Sequence, residues 1–428
     1  MITTIIIAGI TCLLMILSIL FFPKIKIKKI NISTYVIIAI TGALMMLIFR
    51  LISFEELGNK LLSDTSVNPI KILILFFSMT MISIYLDEIG FFKYMAYKSV
   101  SLAKTNQYLL FILIYIFAST LTVFTSNDIV ILTFTPFICY FCKNAKINPL
   151  PYLVGCFVGA NTWSMMLIIG NPTNIYLATS YNITFLEYLK TMFLPTIAAG
   201  ILELLIILLI FKKTLSKEIN VSAEEYKIES KYHLIVGLAH LIICLIFLVI
   251  SSYINMQMYL ISLICALSLI MFNLIESLIK KRKPLDLFNS FKRLPYELIF
   301  FVISMFIIVE CLTIKGFTET IYNLLGNDYG VFKYGYSSFL VCNLINNIPM
   351  SVLYANIPNM NLGTIYASII GSNIGAFLTP IGALAGIMFT NILSKYDVKY
   401  RFIDFIKYGV LISIPTITIS LFTLCFII

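Results

Sequence analysis

Few residues of this 428-residue chain can do ionic chemistry, and the most suggestive of them sit in polar interruptions of apolar runs. Four clusters stand out: Ser126-Asn127-Asp128, Gly170-Asn171-Pro172-Thr173-Asn174, Asn346-Asn347-Ile348-Pro349 and Leu378-Thr379-Pro380-Ile381-Gly382. Pro removes an amide donor and Gly loosens the backbone, so these are helix breaks. In hydrocarbon a break is tolerated only where the freed groups face protein or a water-filled cavity. Freed carbonyls can coordinate a cation, and half-helix N-termini can hold an anion or a polar oxyacid. The ionisable residues within apolar runs are Asp128, Glu203, His240 and Glu310, with Asp87 and Glu88 near an inner boundary. Such groups are costly in lipid and are functional candidates by default. Asp128 adjoins an Asn break, where a carboxylate could bind a proton or a sodium ion. Glu310, near the end of its helix, is the second candidate for proton coupling. Glu203 and His240 stand in no motif and read as structural pairs. The single Trp163 reads as packing.

Enzyme chemistry finds no foothold. The sequence has no GxxxxGK[ST] phosphate loop and no Ser/His/Asp arrangement at plausible depth. Cys139 and Cys142 have CxxC spacing, but no second Cys or His pair accompanies them. Neither a zinc site nor a disulfide framework is indicated, and the nine cysteines read as small apolar packers. No cofactor and no metal are expected.

The elements that must position these residues are membrane helices. The chain is 60% apolar and 12% charged, against roughly a quarter charged in soluble domains. Runs at 3–22, 33–49, 70–86, 107–125, 152–169, 191–211, 234–250, 258–272, 298–313 and 408–428 are long and nearly uncharged. A bilayer core needs about 20 helical residues. Uniform apolarity excludes barrel strands, which alternate. The fold expected is all-α and polytopic, with about 10–11 transmembrane helices. Residues 1–22 lack a basic leader and read as a retained first helix rather than a signal.

A net charge of +10 invites a nucleic-acid reading, but its distribution follows membrane topology instead. Threading the runs alternately, with residues 24–29 inside, places 24 of the 30 Lys and Arg in the cytoplasm. Both chain ends then lie outside, and the protein belongs in the cell (cytoplasmic) membrane.

Internal repetition supplies the next level. Gly159-Ala160-Asn161, with Gly170 nine residues after the Asn, recurs as Gly371-Ser372-Asn373 with Gly382. Residues 185–190, FLEYLK, recur as 402–407, FIDFIK, and Ser126-Asn127-Asp128 has its counterpart at Asn346-Asn347. Lys190 falls outside and Lys407 inside, so the copies are upside down relative to one another. Inverted repeats are a signature of secondary transporters. Four units follow: N-terminal scaffold helices at 1–66, a first repeat at 67–211, a cytoplasmic linker and two linking helices at 212–295, and a second repeat at 296–428. Residues 107–142 and 331–357 each enter and leave on one side. They read as two opposed re-entrant hairpins with tips at Ser126–Asp128 and Asn346-Asn347; two full crossings are the alternative for the first. The short apparent second arm, 129–142, favours the hairpin.

With these motifs assembled, the chain resembles the ion transporter superfamily. That group includes arsenite permeases, citrate and dicarboxylate carriers and a sodium/proton antiporter family. The segment from Gly371 to Gly382 resembles the arsenical-pump branch most. The resemblance implies two hairpins and two unwound helices around a central site formed by Ser126, Asn127, Asp128, Asn161, Gly170, Asn171, Pro172, Thr173, Asn174, Asn346, Asn347, Pro349, Ser372, Asn373, Thr379, Pro380 and Gly382. It also implies a homodimer and allows a soluble ATPase partner. The sodium-coupled dicarboxylate carriers have Ser-Asn-Thr at both tips, and here the tips differ. The expected activity is secondary transport of a small inorganic oxyanion or neutral oxyacid, with proton-coupled arsenite or antimonite efflux foremost. Sodium- or proton-coupled carboxylate uptake and sodium/proton antiport are the alternatives.

Overall fold

The computed structural model describes residues 2–22, 24–27, 30–62, 68–219, 227–228, 230–281, 283–326 and 328–428. The Lys28-Lys29 pair, Arg282 and parts of two polar loops (63–67; 220–226 with 229) lie outside the described residues. The chain is helical throughout apart from one hairpin. It begins with α1 (Ile2–Phe21), then strands Lys24–Ile27 and Ile30–Ser33 paired antiparallel, then α2 (Thr34–Ile48) and α3 (Phe54–Leu62). That small sheet falls where the sequence suggested only a basic loop.

Two series of elements follow in the same order. The first is α4 (Pro69–Glu88), α5 (Phe91–Ala103), α6 (Gln107–Phe124), α7 (Asn127–Asn144), α8 (Leu150–Trp163), α9 (Pro172–Ser180) and α10 (Phe185–Ile210). Short α11 (Lys212–Leu215) leads to α12 (Lys231–Val249), α13 (Met258–Ile279) and amphipathic α14 (Leu285–Arg293). The second series is α15 (Glu297–Ile314), α16 (Phe317–Leu325), α17 (Gly330–Ile345), α18 (Asn347–Ala355), α19 (Leu362–Gly375), α20 (Leu384–Lys395) and α21 (Phe402–Ile427). The matching helices α8 and α19 have 14 residues each, and α10 and α21 have 26 each, with Pro195 and Pro415 inside. Among the described residues, eight helices are long and apolar enough to cross a membrane. α7 is longer than the sequence suggested, at 18 residues, because Asn127-Asp128 and Lys143-Asn144 also join the helix, and Pro136 is accommodated inside it.

Local sequence explains most starts. Asn68 Oδ1 accepts from the amides of Ile70 and Lys71 at α4, and Asn106 Oδ1 from Leu109 at α6. Thr184 and Glu187 form a reciprocal capping box at α10. Asn361 caps α19 through the Thr364 amide.

Packing reveals how the series interlock. α10 lies on α21, α7 lies on α20, and α18 lies on α9, so the second arm of each hairpin packs on the half-helix that follows the other series' break. α1 packs on α2, and α2 on α15; α12 and α13 pack on α4. Ion pairs fasten the periphery. Arg293 donates to Asp87 at 2.6 Å and to Glu88 at 2.5 Å, tying α14 to α4. Lys60 of α3 pairs with the buried Glu310 of α15.

The two series differ in one respect that matters below. α17 and α19 approach so closely that a Cβ on Gly371 would lie 2.1 Å from the Gly335 carbonyl oxygen. α6 and α8 are held apart by rings, since the same test at Gly155 and Gly159 meets Phe111 and Tyr115. Gly371→Ala should therefore lower stability by about 3 kcal/mol through overpacking against backbone. Gly9→Ala, where nothing lies within 4 Å, should change it by less than about 0.5 kcal/mol. Thermal unfolding of both variants in detergent checks this; equal midpoints would mean that α17 and α19 are not packed backbone to backbone.

Candidate functional site

Both 14-residue helices carry an asparagine eleven residues beyond their first residue, Asn161 in α8 and Asn373 in α19. At 1.5 Å per residue each lies about 16 Å along its helix, near the middle of a ~30 Å core. Both are fully buried. Beyond them the helices stop. α8 gives way to two single 3-10 turns, Ser164–Met166 and Ile168–Gly170, before α9 starts at Pro172. α19 gives way to turns before α20 starts at Leu384. Gly170 is needed where it is, because a Cβ there would lie 2.2 Å from the Ser164 carbonyl oxygen.

Side-chain amides stitch the interruptions together. Asn127 at the first hairpin tip donates to Asn161 Oδ1 at 3.0 Å. Asn373 Oδ1 accepts from Ser164 Oγ at 2.9 Å and from Asn171 Nδ2 at 3.1 Å, and its Nδ2 donates to Asn174 Oδ1 at 2.7 Å. Ser164 Oγ also lies 2.7 Å from the Asn161 carbonyl oxygen, so its one hydrogen is shared or alternates between the two acceptors. At the second tip, Asn346 Nδ2 donates to the Ile381 carbonyl at 2.9 Å and the Asn347 amide to the Gly382 carbonyl at 3.0 Å. Asn343 Nδ2 reaches the Gly375 carbonyl at 2.9 Å, and its Oδ1 accepts from Thr379 Oγ1 at 2.7 Å. Gly375 is only two positions beyond Asn373, so the end of α19 joins both clusters.

Freed carbonyls are largely spoken for. Those of Ser164 and Leu167 accept from Asn174 Nδ2 at 2.8 and 3.2 Å, and those of Gly375, Ile381 and Gly382 accept as described. The expected cation coordination by freed carbonyls therefore has amide donors as competitors. The N-termini divide into two pairs. Asn171 caps α9 through the Thr173 amide at 3.1 Å, and Asn346 caps α18 through the Ile348 amide at 3.3 Å. α7 and α20, which pack on each other, have no side-chain cap from Ser126 or Ala383. In α7 the Asp128 amide is taken by Asn127 Oδ1 at 2.9 Å, so what the pair offers is its remaining first-turn N–H groups and partial positive charge.

Of twelve buried polar side-chain atoms that find no partner among the described residues, three lie in these clusters: Ser126 Oγ at the first tip, Thr173 Oγ1 at the first break and Asn347 Oδ1 at the second tip. Buried polar atoms are ordinarily paired, so these three have hydrogen-bonding capacity left over. Asp128, in the first turn of α7, is half-buried, and its carboxylate makes no hydrogen bond or ion pair among the described residues. It lies within electrostatic reach of Tyr35 on α2. Tyr35, Phe301, Asn346, Ile381 and Leu384 border one apolar crevice, which brings the second tip, the second break and the scaffold helices together. No Lys or Arg bonds to any of these polar groups among the described residues. Asn346 itself adopts φ 74°, ψ 154°, a region other residues avoid, and is held there by its two side-chain bonds.

Most residues read from the sequence fall in these clusters. Pro172 and Pro349 occupy first turns of half-helices, and Pro380 lies in the second break. Ser372 turns back to the Ile369 carbonyl of its own helix. Glu310 lies apart, paired with Lys60. Sequence reading missed Ser164 and Asn343. Each lies three residues from a motif asparagine, Asn161 or Asn346, and that helical spacing could have found them.

Comparison with known proteins agrees with this architecture. The family model described as "Citrate transporter" matches residues 25–361. The arsenical pump membrane protein of Escherichia coli (strain K12) is 23% identical over 379 residues, covering 81% of this chain and 84% of its own. The arsenical pump membrane protein of Yersinia enterocolitica is 24% identical over 379 residues with the same coverage. A Dictyostelium discoideum protein carrying the name arsB is 28% identical over 216 residues, 49% of this chain and only 36% of that protein. The crystal structure of the Alcanivorax borkumensis YdaH transporter aligns with a TM-score of 0.53 at 14% identity, covering 99% of this chain and 98% of that one. This chain is a multi-pass membrane transporter that belongs to the citrate transporter family.

Proposed function

We propose that this transporter moves a small neutral oxyacid outward in exchange for protons, with arsenite or antimonite as the substrate. The observation that carries the reading is a buried cluster of neutral hydrogen-bonding groups at the helix breaks, without Lys or Arg among the described residues, next in the chain to the unpartnered Asp128 carboxylate. A trihydroxide is both donor and acceptor. Its hydroxyls could donate to Asp128 and Asn347 Oδ1 and accept from Ser126 Oγ, Thr173 Oγ1 and the open N–H groups of α7 and α20. Relatives named arsenical pump membrane protein support the same class of solute. The solute-binding residues in this proposal are the two tips, the two breaks and Asn161 and Asn373. The division at 1–66, 67–211, 212–295 and 296–428 is proposed as scaffold, first repeat, linker and second repeat.

A second reading, uptake of a carboxylate with sodium or protons, is favoured by one observation. The uncapped N-termini of α7 and α20 suit an anion. Asp128 separates the two readings, since its charge opposes a bound carboxylate and assists a neutral hydroxyl donor.

Expression in cells lacking arsenite efflux should raise the arsenite concentration they tolerate. No gain, with the protein present in the membrane, would overturn the proposed substrate. In proteoliposomes with an imposed proton gradient, Asp128→Asn should cut arsenite flux at least about tenfold, the factor carried by one lost hydrogen bond of ~1.5 kcal/mol to a charged group. If the substrate is instead a carboxylate, Asp128→Asn should preserve or tighten its binding, and the same flux panel run with radiolabelled citrate reads this directly.

A further inference from the structure

Glu203, on α10, lies behind the first break and takes no part in the clusters above. Its side chain is fully buried. Oε1 lies 2.5 Å from Tyr115 Oη on α6, and Oε2 lies 2.5 Å from Thr162 Oγ1 on α8. Tyr115 Oη also lies 2.7 Å from the Gly200 carbonyl oxygen and accepts from Trp163 Nε1 at 2.9 Å. Counting hydrogens points to an acid here. Tyr115 has one hydroxyl hydrogen and two close oxygen neighbours, Gly200 O and Glu203 Oε1. Two oxygens at such distances without a hydrogen between them repel. A carboxylic acid resolves the count: Glu203 donates from Oε1 to Tyr115, Tyr115 donates to Gly200, and Thr162 donates to Oε2.

The surroundings agree. Tyr115 is the titratable group facing Glu203 from α6; α8 contributes Thr162 and Trp163, neither of which titrates in this range. From α21, Ser420 reaches Pro195 of α10, and the charged residues of that helix, Asp404 and Lys407, lie in its first two turns. On α12, His240 is turned to the Val236 carbonyl and Ser268. No cation pairs with Glu203 among the described residues, and an unpaired buried carboxylate is strongly unfavourable.

We propose that Glu203 is a proton-binding positioning residue: its proton, shared with Tyr115 and Thr162, fixes the end of α8 and hence the first break in the conformation described here. Thr162 adjoins Asn161, which holds the first hairpin tip, and Trp163 adjoins Ser164, which bonds Asn373. Loss of the proton leaves two oxygens in repulsion at this end of α8. The second series lacks the device. Matching FLEYLK to FIDFIK puts Ser420 opposite Glu203, and aligning Asn127 with Asn347 puts Gly335 opposite Tyr115. Ionisation would therefore bias one repeat only. This inference rests on the transport reading, but its first test does not.

Infrared spectra of the purified protein at neutral pH should contain a protonated-carboxyl C=O band that Glu203→Gln removes and Asp128→Asn retains. Tyr115→Phe, which keeps the acid but removes its hydrogen-bond acceptor, should shift that band without abolishing it. Absence of the band, or insensitivity of that spectral region to both Glu203→Gln and Tyr115→Phe, overturns the proposal whatever the substrate. In proteoliposomes the arsenite flux of the unsubstituted protein should change with the same pH midpoint as the band, and Glu203→Gln should lose that midpoint. A Glu203→Gln variant that is monodisperse and keeps the original pH profile would leave Glu203 a static packing group. Failure of the unsubstituted protein to carry arsenite, with the band present, would count against the substrate alone.

Discussion

A backbone amide in hydrocarbon must find its partner within the protein. Everything distinctive about this molecule follows from breaking two helices in mid-membrane while obeying that rule. Asparagine is the residue that makes it possible. Its amide offers two donors and an acceptor without charge, so it can satisfy a loose carbonyl and still bond a neighbour. Asn174 covers the Ser164 and Leu167 carbonyls, Asn343 covers Gly375, and Asn346 covers Ile381. Once carbonyls are satisfied this way, what remains open is the donor side: the uncapped starts of α7 and α20 and the hydroxyls of Ser126 and Thr173.

The two inverted series use this device unequally. In the second, the tip is bonded to its own break, Asn346 and Asn347 to Ile381 and Gly382, and α17 is clamped to α19 through glycines. In the first, the tip is bonded to Asn161 instead of to its break, and rings rather than glycines separate α6 from α8. The second hairpin is thus tied to the segment it faces, whereas the first is tied only through one amide pair. Repacking the first series would disturb fewer close backbone contacts. Alternating access between similar halves needs such a difference at any one moment.

Much of this was legible in residue types. Helix breaks announce themselves through Gly170, Pro172, Pro380 and Gly382 because so few residues interrupt an apolar run. The repeat was legible because Asn161 and Asn373 keep their distance to the glycine that follows. Less legible was anything set by a neighbour far along the chain. Asn343 looks like one polar residue on a hairpin arm until Gly375 arrives beside it. Glu203 carried no motif, since its partners Tyr115 and Thr162 come from two other helices, and pairing of that kind leaves no spacing to read. The length of α7 is underread by two residues at each end, because Asn127-Asp128 and Lys143-Asn144 are polar and read as flanks rather than as helix. The strand pair at residues 24–33 alternates apolar and polar residues, but it was masked by its charge.

The charge inventory then narrows what such a site can carry. Four half-helix starts would favour an anion if nothing opposed them, but two are already capped by Asn171 and Asn346. Asp128 stands in the first turn of one of the two that remain, so its carboxylate offsets part of the partial charge it sits on. A fully anionic solute would gain two open helix ends and meet a fixed negative group. A neutral polyhydroxyl solute gains the same ends and meets an acceptor. A proton on Asp128 reverses the preference, removing the acceptor a hydroxyl needs. On the proposed reading, one carboxylate at the first tip would couple proton binding to release of a neutral oxyacid without any cationic side chain in the site.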